Sequence, residues 1–112
     1  HMCGHLKALL PDISKLPSAA IEAFTSPPVG NTTLLDGKTL CHNKCLIGGT
    51  NATLWLKPVD EIIKTIEHDL NVLPDHLGIV ITSAGVMPPA CDPYKIKKVA
   101  EWVKNYPLRC DK

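Results

Sequence analysis

Ten prolines divide these 112 residues into short pieces, because each removes a backbone donor, fixes its own φ and pushes its predecessor out of the helical region. Elements of a few turns are the most such spacing allows. Their interior has to be aliphatic. Apolar residues make up 45% of the chain but aromatics only 4%, so Leu, Ile, Val and Ala fill the core without the stacked rings common in sandwich folds. The expected fold class is mainly α: one disulfide-stapled domain of roughly four to five short helices packed at angles, with an irregular middle segment. A 12.2 kDa chain buries about two-thirds of the surface its unfolded form exposes, enough for one core without a metal.

The stapling is inferred from cysteine usage. Cys3, Cys41, Cys45, Cys91 and Cys110 run from end to end, and Asn31-Thr32-Thr33 and Asn51-Ala52-Thr53 both fit the glycosylation sequon. Both features belong to secreted domains in oxidising compartments. His1-Met2 reads as a cloning scar, so the expected domain is residues 3–112, left after an export signal is removed. Five cysteines leave fifteen arrangements of two bridges and one free thiol open. The preferred one joins Cys41 and Cys45 to Cys91 and Cys110 and leaves Cys3 for an intermolecular bridge and a dimer, while Cys3 paired with the middle segment, freeing another cysteine, is the equal alternative. Glycans are expected on Asn31 and Asn51.

Hydropathy marks two helices plainly. Over residues 58–71, Pro58 suits a first helical position, Asp60 and Glu61 suit the positive end of the dipole, and Ile62, Ile63, Ile66 and Leu70 recur on one face. Over residues 93–104, Asp92 is a natural N-cap and Ile96, Val99 and Val103 form a stripe. Between them, residues 77–86 are apolar nearly all round, and periodicity leaves helix and strand open there. Residues 5–24 carry an apolar stripe at helical spacing, interrupted by Pro11 and Pro17, and predict two or three short helices. Residues 25–38 read as an exposed loop. Residues 39–57 read as irregular, with a hairpin as the competing choice.

Several function classes are disfavoured. A net charge of +1 gives no field that would attract nucleic acid, and no stretch approaches the ~18 apolar residues of a membrane span. Ser83 lies outside any Gly-x-Ser-x-Gly elbow, no glycine-rich loop opens a helix, and Cys41-His42-x-x-Cys45 lacks a second ligand pair. No enzyme activity, cofactor or metal is expected. Lys95, Lys97 and Lys98 beside Trp102 suggest weak membrane-surface contact, although the plainer reading is the polar face of an amphipathic helix. The leading expectation is a secreted carrier that holds a fatty acid, sterol or similar apolar ligand in an aliphatic cavity. Its wall would combine Ile62, Ile63, Ile66 and Leu70 of the first helix with Ile79, Val80, Val86 and Met87 of the apolar run. Ile96, Val99 and Val103 of the second helix would complete it. The alternative is a secreted protein-interaction module that binds a receptor.

Overall fold

Helix and strand alternate along the chain. In the computed structural model, which describes residues 1–110, a 3-10 turn at Lys7–Leu9 leads into α1 (Leu10–Ile13), β1 (Ala20–Phe24), α2 (Leu34–Leu40) and β2 (Cys45–Gly48). A second 3-10 turn at Leu54–Leu56 precedes α3 (Val59–Asn71), β3 (Ile79–Ile81) and α4 (Pro93–Asn105). The strands form one parallel sheet in the order β1-β2-β3. With 39% helix and 11% strand, this is an α/β fold, which corrects the mainly α bundle expected from the sequence.

The two plain helices form where their signals put them. α3 buries Ile62, Ile66 and Leu70 at spacings of four, and Asp92 caps α4 by accepting from the Tyr94 amide. Pro58 stands one position earlier than expected, as the N-cap residue of α3. The expected loop at residues 25–38 instead contains the first five residues of α2. Its start is a reciprocal capping box in which the Thr33 hydroxyl accepts from Asp36 N–H and the Asp36 carboxylate accepts from Thr33 N–H, satisfying two donors that a helix end leaves bare.

Strands overturn the other two expectations. Ala20, Ile21 and Phe24, placed on a helical stripe by their spacing, lie in β1, and Leu46 and Ile47 of the supposedly irregular middle form the central strand. The open choice at residues 77–86 resolves as β3, where consecutive β-branched side chains suit the pleat.

Sequential parallel strands require crossovers, and right-handed crossovers in a 1-2-3 order put every connecting helix on one side. Burial agrees with that arrangement. Ile21 and Leu46 are buried in one cluster with Leu34 of α2 and Ile62 and Ile66 of α3. α2 approaches so closely that a Cβ on Gly37 would lie 2.5 Å from Leu46 Cδ1 and 2.9 Å from Phe24 Cζ. The opposite row, Glu22, Ile47 and Val80, is matched residue for residue across the strands. There Glu22 and Ile47 are only half-buried and Val80 keeps 50% of its surface exposed. One face of the sheet is therefore packed and the other only partly covered.

The disulfide staples are also corrected: all five cysteines are free thiols. Cys41 is fully buried, its Sγ donates to the Leu10 carbonyl at 3.2 Å, and burial pushes its thiol pKa up, with Lys44 opposing. A buried, protonated thiol is an inert core group. Cys91 is buried with its Sγ directed to the Asp92 carbonyl, while Cys3, Cys45 and Cys110 are exposed. The core is held by packing instead.

An ion pair fastens α2 to the loop between α3 and β3. Lys38 Nζ donates to Asp75 at 2.8 Å and also to the Leu77 carbonyl, and both charged side chains are largely shielded. The hydrogen bond from Lys38 and the Leu77 amide hold the Asp75 carboxyl below its usual value. A depressed carboxylate stabilises the fold above its unfolded pKa of about 3.9, and that contribution is lost as pH falls through the lower folded value. In thermal melts across a pH series, Asp75→Asn should therefore melt below the parent chain from neutral pH down to mildly acidic pH. The two curves should converge below about pH 4. Equal melting at neutral pH would show that the pair contributes nothing.

Candidate functional site

In parallel α/β sheets, ligands bind outside the carboxyl ends of the strands, and here each strand runs into a short polar turn. Thr25-Ser26 follow β1, Thr50-Asn51 follow β2, and Thr82-Ser83 follow β3. These side chains tie the turns together. The Thr25 hydroxyl reaches the Ala23 carbonyl at 2.7 Å and the Ala84 carbonyl at 3.1 Å, so it links the ends of the two outer strands. Both alanines are buried at positive φ, 61° for Ala23 and 58° for Ala84. The left-handed conformation costs an L-residue about 1–2 kcal/mol and persists where surrounding structure imposes it.

Asn51 joins the first two turns. Only 5% exposed, it donates through Nδ2 to Ser26 Oγ and to the Pro27 carbonyl, both at 2.9 Å, and accepts at Oδ1 from Thr53 Oγ1 and the Leu54 amide. Its amide is fully used, so a glycan on that nitrogen would have to displace one of the two donated bonds. Asn31, the other sequon residue, is half-buried and uses Oδ1 to accept the Lys7 amide. The Thr50 hydroxyl donates to the Thr82 carbonyl and accepts from Trp55 Nε1 at 3.0 Å, fixing the buried indole beside β3.

Against that indole lies a groove of about 370 Å³ between β3 and α4. Ile81 and Thr82 supply one side, Ser83 and Met87 the adjoining loop, and Ile96, Val99, Ala100, Val103 and Lys104 the helix side. α4 presents this wall because Ile96, Ala100 and Val103 recur at helical spacing. Two other hollows border the strand ends. One, of about 350 Å³, is lined by Cys3, Gly4, Thr25, Val29, Ala52 and residues 83–86. The other is a polar cleft of about 210 Å³ whose walls include Ser26, Asn51, Lys57, Thr65 and Asp69. Burial raises the Asp69 carboxyl above its usual range, with His68 opposing.

The eleven expected cavity residues divide among several environments. Met87, Ile96, Val99 and Val103 meet in the groove. Ile62, Ile66 and Leu70 are solid core, with Ile63 and Ile79 packed against it. Val80 lies on the partly covered sheet face, and Val86, 87% exposed, lines the neighbouring hollow. Trp55, Ile81, Thr82, Ser83, Ala100 and Lys104 are groove residues absent from the sequence-based set. Counting on from Ile96 by fours reaches Ala100 and Lys104, so the helical stripe held that signal. Trp55 carried none.

Trp102 packs its ring on Tyr106 at 5.0 Å instead of presenting it to solvent, and Lys95 donates to the Trp55 carbonyl. Lys97 and Lys98 remain exposed. Among the described residues no helix is long and apolar enough to cross a membrane, and no cluster of three or more His, Cys, Asp or Glu side chains could hold a metal. No family model, curated protein or solved structure matches the chain.

Proposed function

We propose that the chain is a binding protein for a small apolar ligand, which it holds in the groove between β3 and α4. The groove's composition carries this reading. Seven of its ten lining residues are aliphatic side chains, a methionine and a fixed indole, with Thr82, Ser83 and Lys104 the polar remainder. Its volume falls at the small end of the about 300–1,000 Å³ common for ligand pockets. The reading does not depend on compartment, and secretion is a separate proposal that rests on the Asn31 sequon alone, since the cysteines are free thiols.

Titration with a fluorescent fatty-acid probe tests it. Ile66 and Val99 are unsuitable targets because both are fully buried, so a charge there would unfold the chain. Val103 is half-buried at the groove wall. Val103→Glu should leave the circular dichroism spectrum unchanged and weaken probe binding about tenfold or more, since a carboxylate would then occupy an apolar site. Absence of saturable uptake by the parent chain would count against the reading.

A second reading, a protein-interaction module, draws on the partly covered sheet face. Parallel sheets are normally covered on both sides, yet Val80 keeps 50% of its surface exposed in one row with the half-buried Ile47 and Glu22. Sedimentation over a concentration series, with Val80→Lys as control, reads whether copies of the chain associate there.

A further inference from the structure

We infer that the ligand is an anionic amphiphile: a single-chain acyl carboxylate of medium length, lying along α4 with its head group on Lys104. This rests on the groove being the binding site. Lys104 is the one charged side chain among the described residues lining the groove, and it is exposed. None of the three ion pairs among the described residues involves it. An exposed ammonium at the rim of an apolar trough meets an anion without burying either charge, while the chain beyond it leaves water.

The floor offers little else that is polar. Ser83 Oγ donates to the Gly85 carbonyl and Thr82 Oγ1 accepts from the Ala84 amide. Those two hydroxyls are the only uncharged polar side chains among the described residues lining the groove and each already has a partner, so a plain hydrocarbon chain with one charged end fits without stranding them. Size argues the same way. From Ile96 to Lys104 the helix advances roughly 12 Å, a length that an extended decanoate spans. A space of about 370 Å³ is small for a two-chain lipid.

The test compares decanoate with decanol by calorimetric titration at neutral pH, using the parent chain, Lys104→Gln, Val103→Glu and, as a charge control, Lys64→Gln on the neighbouring helix. Decanoate should bind about fivefold more tightly than decanol, and Lys104→Gln should remove that preference by weakening decanoate alone. Lys64→Gln should change neither ligand. Equal binding of acid and alcohol overturns the inference, as does a Lys104→Gln chain that keeps the preference. The groove itself survives either result provided Val103→Glu still weakens both ligands. If neither ligand binds the parent chain, the groove reading and the inference fall together.

Discussion

Gly48→Ala should unfold the chain or nearly so, with a stability loss of about 4 kcal/mol or more. Gly48 sits in the central strand opposite Phe24 at φ 149°. A Cβ there would lie 2.5 Å from the Phe24 carbonyl oxygen and 2.7 Å from its amide nitrogen. Those atoms belong to the neighbouring strand's backbone, so relief requires β1 to move off β2, and with it Ile21 and Phe24 out of the core. Gly85 supplies the control: its φ is 145°, but a Cβ there meets nothing within 4 Å. Gly85→Ala carries the conformational strain alone, about 1–3 kcal/mol. Urea unfolding of the two variants separates strain from contact. Equal losses would show that β1 and β2 are not paired in this register.

Asn51→Ala should cost about 3 kcal/mol, a fall of roughly 10–20 °C in melting temperature. Two donated and two accepted hydrogen bonds are lost together. Ser26 Oγ, the Pro27 carbonyl and Thr53 Oγ1 lose their Asn51 contacts, while the Leu54 amide keeps only a longer bond to the Asn51 carbonyl. Asn51→Asp is the sharper variant. It preserves shape and the Oδ1 acceptor but turns a carboxylate oxygen toward the Pro27 carbonyl, so it should do no better than alanine. If Asn51→Asp melted with the parent chain, the amide would not be the tie between the two turns. Expression in a glycosylating host gives an independent check, since mass spectrometry of the folded chain should find Asn51 unmodified.

How much of this was legible depended on element length. α3 and α4 each hold thirteen residues, enough for a stripe and a terminus signal to reinforce one another. The strands hold five, four and three, too few for alternation to show. β1 is further masked by the bulge between Glu22 and Phe24, which breaks the period of two and leaves Ile21 and Phe24 at a helix-like spacing of three. The Thr33-x-x-Asp36 box announced α2, but it lay behind Ser-Pro-Pro and a sequon, both of which read as loop. Cysteine count misled because it is a property of composition, whereas Cys41 is placed by the packing of α2 against Leu10. The groove was half legible. Its helix side follows from the α4 stripe, while its other side depends on β3 and on an indole brought in by a hydrogen bond to Thr50, and neither is visible until the sheet exists.

An isotope-filtered NOESY spectrum of labelled protein with unlabelled decanoate would test the groove most directly. The chain protons of the ligand should show contacts to methyl groups of Ile81 and Met87 on one side and Ile96 and Val103 on the other, within the same complex. Contacts confined to residues outside that set, or to only one of the two walls, would contradict it.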